Sequence, residues 1–236
     1  MNSARMNLSL LLGVLLFTTV SAVGLKNNGN TCYANAALQL LHRSKDFRAS
    51  LHAAQAKSPR ARSLLAFFTQ MDKNASVALL NPAPLIPKEL LDGREHDVEE
   101  FLDSIRGIEG VDMVGELELD MPKDRRSLQE LLDQDGFDLL SPSSLLVSLK
   151  RGCSQTVKNG KPVSVASQLN FQGRLYELVA FIEHLGRSPR HGHFLTFYRE
   201  NDGRWYSAND EEITCVSEKK ALKHASTGYV YLFEQK

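Results

Sequence analysis

The sequence predicts an α+β protein, because helical patterns fill its first half and β-rich runs fill its second. Apolar residues recur at helical spacing from about Thr31 to His42, and further helical patterns lie near 60–71 and 97–105. From about Ser143 onwards, short runs rich in β-branched and aromatic residues predict strands. A chain of 236 residues, 42% of them hydrophobic, is long enough to bury a large core.

Cap and turn residues mark the limits of these elements. Asn30 and Thr31 are favourable N-cap residues before the first helix. Prolines interrupt the chain between the second and third helical patterns. The predicted strands lie at 145–149, 176–182, 194–199, 205–207 and 228–233. Because there is no internal repeat and no long linker, we expect one domain over residues 23–236.

The first 22 residues have the pattern of a secretory signal peptide. Arg5 precedes about ten mostly apolar positions, and the small residues of 20–22 follow as a cleavage-site pattern. The alternative is an uncleaved membrane anchor, since the uncharged stretch from Met6 to Leu25 is long enough to span a bilayer. Polar residues interrupt that stretch, so we expect residues 1–22 to be removed and the protein to be exported.

Charge and cysteine content argue against three classes of protein. The 28 Lys and Arg balance the 28 Asp and Glu, whereas nucleic-acid binders usually carry a basic excess. The three cysteines have no CxxC spacing, so neither a disulfide framework nor a structural zinc site is supported. For Cys153 and Cys215, incidental thiols are the better interpretation.

Cys32 is the candidate nucleophile. It begins the first helix, where backbone N–H groups and the helix dipole favour a thiolate. Most free cysteines are small buried hydrophobic residues, so this position alone is weak support. His193 and Asn209 follow in the order Cys, His, Asn, which is typical of papain-like peptidases.

The residue that orients His193 stays open between two neighbours. If the hairpin after His193 is centred between Asn201 and Asp202, His193 faces Asp210 and Asn209 lies one residue away. A single bulge would reverse this choice. Five residues before Cys32, Asn27 is a candidate donor to an oxyanion, although on composition alone simple turn formation is the better interpretation.

Several long segments resemble the conserved boxes of the ubiquitin-specific proteases, in the same order along the chain. The first is residues 24–35, GLKNNGNTCYAN, and the second is 95–102, EHDVEEFL, in which Glu95 and His96 replace two glutamines. The third runs from Tyr176 through Gly192-His193-Phe194 to the closing strand at 229–233. The resemblance extends over nearly all of residues 23–236.

The resemblance implies a role for each matching residue. Cys32 would be the nucleophile, His193 the general base and acid, and Asn27 the oxyanion donor. Asn209 would orient His193, with Asp210 as a substitute. For substrate binding, the resemblance implies three residues, which are Asp97, Gly192 and Phe194. Asp97 would hold the basic tail of ubiquitin, with helix N-capping as the alternative reading, and the other two would line a narrow channel for a Gly-Gly tail.

The implied fold is papain-like, with a helical thumb, an antiparallel-sheet palm and a zinc-stapled fingers hairpin. This sequence departs from the family in the fingers, because the chain between Asp97 and Leu145 is short and has no zinc-binding cysteine pair. We therefore expect the fingers to be reduced or absent. The resemblance also places residues 185–190 in a loop over the active-site channel.

The function implied is that of a thiol-dependent deubiquitinase. It would cleave the peptide or isopeptide bond after the C-terminal glycine of ubiquitin or a ubiquitin-like protein, without a metal or organic cofactor. The expected partners are that protein and its conjugates, not nucleic acid or a membrane, and we expect a monomer. A bacterial effector delivered into a host would reconcile this activity with export. The alternatives are a non-catalytic ubiquitin-binding module and a papain-like peptidase that does not require ubiquitin.

Overall fold

The computed structural model describes residues 23–73, 79–113, 115–124, 126–134, 137, 142–152, 157–188 and 191–236. The predicted signal peptide over residues 1–22 and the thiol of Cys153 lie outside the described residues. In the described ranges, no helix is long and apolar enough to cross a membrane.

The described chain contains six α-helices. They are α1 (Cys32–His42), α2 (Lys45–Ala54), α3 (Pro59–Lys73), α4 (Val98–Arg106), α5 (Leu128–Gln134) and α6 (Glu218–Ala225). The three predicted helices correspond to α1, α3 and α4. Hydroxyl caps start two of the others, because Ser44 accepts a hydrogen bond from the Phe47 N–H and Ser217 accepts one from the Lys220 N–H. All residues of α1 are buried, so this helix forms the centre of the helical layer.

In the described part of the chain, eight strands form one mixed sheet. They are β1 (Glu116–Asp120), β2 (Ser144–Lys150), β3 (Gln168–Phe171), β4 (Arg174–Ser188), β5 (His191–Arg199), β6 (Trp205–Asn209), β7 (Glu212–Val216) and β8 (Gly228–Gln235). The strand order is β1-β2-β8-β4-β5-β6-β7, and β3 pairs with β4. The predicted antiparallel pairing is confirmed for β2, β4, β5, β6 and β8, whereas the edge strand β1, which was not predicted, pairs with β2 in parallel.

Each face of the sheet has its own hydrophobic core. Helices α1 to α4 pack on one face, against side chains that include Leu146, Ile182 and Tyr198. Helices α5 and α6 pack on the other face with Phe181 and Phe197. Because both faces are covered, β2 is buried along almost its whole length, as is usual for central strands. The predicted α+β class is therefore confirmed.

The segment between α4 and β2 is short, as expected for reduced fingers. Its described part contains the strand β1 and the helix α5. Among the described residues, no three His, Cys, Asp or Glu side chains are grouped so that they could hold a metal ion.

Candidate active site

Cys32 lies at the junction of the two layers. It is the first residue of α1, with Thr31 at the N-cap, and it is 6% exposed. The loop before it is fixed to the sheet, because the Leu25 N–H donates to the Asp210 carbonyl at 2.8 Å. The thiol is thus held at a helix N-terminus beside the β6–β7 turn.

His193 on β5 faces Cys32. Its Nε2 lies 2.5 Å from Asn209 Oδ1, so Nε2–H donates to the amide oxygen and Nδ1 is left for the thiol. The hydrogen bond with Cys32 is the largest cause that raises the pKa of His193, which reaches about 9; the bond to Asn209 adds to this effect and burial opposes it. The imidazole is therefore held in its protonated form at neutral pH.

The structure decides between Asn209 and Asp210 as the direct neighbour of His193. Strand β5 pairs with β6 one residue out of the predicted register, with Thr196 opposite Ala208. Gly203 takes a left-handed conformation in the connecting turn, at a φ of 84°. Because side chains alternate between faces, the shift of one residue places Asn209 on the face of His193. The neighbour of His193, which the sequence left open, is therefore Asn209, and the register that would place Asp210 opposite His193 is not the one observed.

Asp210 instead links the strand hairpin to the loop before Cys32. It lies in the β6–β7 turn with a φ of 50°, and its carboxylate is 3.9 Å from His193 Nε2. The same carboxylate accepts hydrogen bonds from the side-chain amides of Asn27 at 2.8 Å and Asn35 at 2.7 Å. No role of Asn35 was predicted from the sequence, although an asparagine inside an apolar helical pattern was a usable signal.

Asn27 is rigidly oriented. Its Oδ1 accepts hydrogen bonds from the N–H groups of Gly29 at 3.0 Å and Thr31 at 3.1 Å, while its Nδ2 donates to Asp210. The turn-forming interpretation is therefore part of its role. An amide nitrogen carries two hydrogens, and the contact with Asp210 uses one of them. The proposed oxyanion donor is thus fixed in place by the carboxylate of Asp210.

The predicted channel residues Gly192 and Phe194 flank His193. A Cβ atom at Gly192 would lie 2.4 Å from His184 Nε2 and from the Leu185 carbonyl oxygen, so only glycine fits there. Phe194 is 3% exposed and packs on His184, with 4.4 Å between ring centroids. In this arrangement, Phe194 supports His193 from the core and presents little surface to a ligand.

The predicted loop over the channel is instead mostly strand. β4 extends to Ser188 and β5 begins at His191, with a register shift between Leu185 and Ser188. Across the cleft, Glu95 Oε2 accepts a hydrogen bond from the Gly192 N–H at 3.0 Å and lies 3.3 Å from His191 Nδ1. The replacement of a glutamine by Glu95 was visible in the sequence, but this contact was not predicted.

Asp97 is the N-cap of α4. Its carboxylate accepts a hydrogen bond from the Glu99 N–H at 3.1 Å, as in the alternative reading of this residue. Burial is the largest cause that raises the pKa of Asp97 to about 6, and the charges of Glu99 and Glu100 act in the same direction. The surroundings of Asp97 thus disfavour the ionised form of its carboxyl group.

We expect Asp97→Asn to be at least as stable as the parent at pH 7.5. Asparagine caps a helix about as well as aspartate. Because the pKa of Asp97 is raised on folding from 3.8 to about 6, the parent loses stability as the pH rises through this window, and the variant does not. In thermal unfolding, the stability of Asp97→Asn should exceed that of the parent at pH 7.5, and this difference should shrink as the pH falls from 6 towards 4. Asp97→Ala, which removes the cap, should lose about 1 kcal/mol. An Asp97→Asn variant as unstable as Asp97→Ala would contradict this account.

We also expect Cys32→Ala to lower the pKa of His193 from about 9 towards its usual value of 6.5, because it removes the largest cause of the shift. NMR titration of the imidazole measures this directly. In the parent, turnover should fall as the pH rises above about 9, since His193 then has no proton to give. An unchanged titration in Cys32→Ala would mean that the two side chains do not interact.

A family model described as ubiquitin carboxyl-terminal hydrolase matches residues 23–106 and 116–233. The chain belongs to the ubiquitin carboxyl-terminal hydrolase family.

Among curated members of this family, the similarity covers only part of each chain. Ubiquitin carboxyl-terminal hydrolase 14 of Schizosaccharomyces pombe is 44% identical over 63 residues, which is 25% of this chain and 8% of the relative. Ubiquitin carboxyl-terminal hydrolase 5 of Mus musculus is 30% identical over 98 residues, which is 42% of this chain and 11% of the relative. This family member thus matches a small fraction of those longer proteins.

Solved structures match over almost the whole chain. The SAGA DUB module of Ubp8, Sgf11, Sus1 and Sgf73 bound to monoubiquitin gives a TM-score of 0.73 at 18% identity, over 92% of this chain and 69% of the matched chain. The same module bound to ubiquitin aldehyde gives a TM-score of 0.70 at 18% identity. At this identity the match shows the fold, and it confirms the papain-like thumb and palm of this family member.

Proposed function

We propose that this chain is a thiol-dependent deubiquitinase that cleaves the bond after the C-terminal glycine of ubiquitin or a ubiquitin-like protein. The observation that carries this proposal is the set Cys32, His193 and Asn209, assembled at a helix N-terminus with the imidazole protonated by its contact with the thiol. Membership of the ubiquitin carboxyl-terminal hydrolase family supports the class of substrate. Ubp8, which shares the fold, has been solved with monoubiquitin and with ubiquitin aldehyde.

The first half of the reaction forms a thioester. The Cys32 thiolate attacks the glycine carbonyl carbon, and the oxyanion accepts hydrogen bonds from the Cys32 N–H and the Asn27 side chain. As the tetrahedral intermediate collapses, His193 gives its Nδ1 proton to the amine that leaves, and the C–N bond breaks. Asn209 holds Nε2–H throughout, so the imidazole keeps the tautomer and orientation that this transfer needs.

The second half of the reaction releases the product. Neutral His193 takes a proton from water, and the resulting hydroxide attacks the thioester carbonyl carbon. The carbon–sulfur bond breaks, which frees the glycine carboxylic acid and restores the thiolate beside protonated His193. The acid then loses its proton to water and leaves as the carboxylate. No metal or organic cofactor takes part in these steps. Asp97 and Gly192 are proposed to border the channel for the substrate tail, and Phe194 is proposed to pack behind its wall in the core.

A comparison of two substrates tests the proposal. The full chain is incubated with a fluorogenic reporter attached to the C-terminus of ubiquitin and with the same reporter on a short Gly-Gly peptide. We expect turnover of the ubiquitin reporter alone, because only this substrate supplies the folded domain. Equal turnover of both reporters would favour a papain-like peptidase that does not need ubiquitin. Binding of ubiquitin without turnover would favour the non-catalytic module.

We also propose that the protein is exported after removal of residues 1–22 and acts as a bacterial effector inside a host cell. The charge and apolar pattern of these residues supports export, and the match to the family model begins at residue 23. Intact-mass analysis of the chain recovered outside the producing cells should give a protein that begins at Val23. A chain that stays inside those cells with residues 1–22 attached would contradict this proposal.

A further inference from the structure

The hairpin that carries His193 extends beyond the strand that supports it. Strand β8 pairs with β4 as far as the pair Glu183–Gly228, whereas β4 continues to Ser188. On its other side, this last part of β4 pairs with β5, with Leu185 opposite His193. Backbone carbonyls on the edge that β8 has left need other donors.

The ammonium group of Lys158 supplies those donors. Its Nζ donates to the carbonyl oxygens of His184 at 2.6 Å and Gly186 at 3.3 Å. These two carbonyls flank Leu185, the strand partner of His193, and they share one edge because successive carbonyls of a strand alternate. The same Nζ lies 5.2 Å from the centre of the Tyr229 ring, which favours the cation. One side chain thus takes the place of the missing strand.

Lys158 is itself held in place by a buried arginine. Arg151 is 1% exposed, and its guanidinium donates to the Gly228 carbonyl at 2.6 Å and the Ser226 carbonyl at 3.1 Å, at the start of β8. It also donates to the Lys161 carbonyl at 2.8 Å, and its own carbonyl accepts from the Asn159 N–H at 2.6 Å. The segment that carries Lys158 is therefore held at the start of β8, the strand that pairs with β4.

We propose that Lys158 is a positioning residue, which holds the end of β4 so that His193 on β5 stays in contact with Cys32. The inference rests on the proposed function where the readout is turnover. It also makes a prediction that does not need turnover. If the hairpin relaxes when the ammonium is lost, His193 moves away from Cys32, and the main cause of its raised pKa weakens.

The test replaces Lys158 with methionine in the full chain, which keeps the length of the side chain and removes its donors. We expect kcat on the ubiquitin reporter to fall roughly tenfold with KM within about twofold, because the effect is on the geometry of the reacting groups. In NMR titration, the pKa of His193 should fall below that of the parent. Lys158→Arg, which keeps a cation and donors, should retain a large part of the parental kcat and of the raised pKa of His193.

Lys161→Met is the matched control, since Lys161 lies in the same segment and its exposed Nζ donates to the Lys123 carbonyl. This variant should have the kcat of the parent and the same pKa of His193. Parental kcat and His193 titration in Lys158→Met would overturn the proposal, as would equal losses in both methionine variants. If Lys158→Met does not fold, Lys158→Gln, which is shorter and uncharged, is measured in its place. Values of kcat and of the His193 pKa below those of Lys161→Met support the proposal, and parental values overturn it. Absence of turnover in the parent itself would reject the proposed function and leave the titration as the test of Lys158.

Discussion

Replacing Cys32 with alanine is expected to lower turnover of the ubiquitin reporter at least about 1,000-fold while leaving ubiquitin binding intact. The thiol is the only atom group that the substitution removes, and no other described cysteine lies in the site. Cys215→Ser is the matched control, because this free cysteine is exposed on the edge strand β7. The control should retain the activity of the parent within about twofold.

The two measurements needed for this prediction are steady-state kinetics and a binding titration with ubiquitin. Loss of both turnover and binding in Cys32→Ala would point to unfolding, which circular dichroism detects. Turnover that persists in a folded Cys32→Ala variant would contradict the assignment of the nucleophile. Loss of turnover in Cys215→Ser would mean that turnover requires the exposed thiol of Cys215, which would also contradict the assignment.

The second large effect should separate Asn209 from Asp210. Asn209→Ala removes the oxygen that accepts Nε2–H of His193, so the imidazole loses its tautomer and orientation. We expect kcat to fall roughly 100-fold with little change in thermal stability, because general acid–base catalysis depends on this geometry and Asn209 is exposed.

Asp210→Ala should instead reduce both kcat and stability. It leaves the side-chain amides of Asn27 and Asn35 without their carboxylate partner, and burial makes an unpaired amide costly, by about 1–3 kcal/mol. Thermal unfolding and kinetics on both variants measure the difference. If Asp210→Ala loses kcat without stability while Asn209→Ala is fully active, then Asp210 orients the imidazole and the assignment made here is wrong.

Much of the fold could be predicted because its signals are local. The cap residue Thr31 and the apolar spacing that follows it define α1, and the β-rich runs define the central strands. The helices α2 and α6 were missed because they are short and polar, with few large apolar residues in each. The parallel strand β1 was missed because its sequence, ELELD, is short and has only two apolar residues. It is stabilised as a strand by pairing with β2, which is distant in sequence.

The site was predictable to the extent that each residue lies inside a recognisable segment. Cys32, His193 and Asn209 all lie together in the structure, as their order along the chain suggested. The register of the β5–β6 hairpin was not predictable, because it depends on the turn at Gly203. The contacts of Asn35 and Lys158 span long stretches of chain, and only the packed structure brings those residues beside the site.

The central claim is that Cys32 is the nucleophile of a deubiquitinase, and covalent capture tests it most directly. The full chain is incubated with ubiquitin that carries a thiol-reactive group at its C-terminus, beside Cys32→Ala and Cys215→Ser, and the products are weighed by mass spectrometry. The account predicts a one-to-one adduct on Cys32 in the parent and in Cys215→Ser, and none in Cys32→Ala. An adduct that persists in Cys32→Ala would contradict the assignment of the nucleophile. No adduct in the folded parent, with ubiquitin or with ubiquitin-like probes, would contradict the proposed enzyme and favour the binding module.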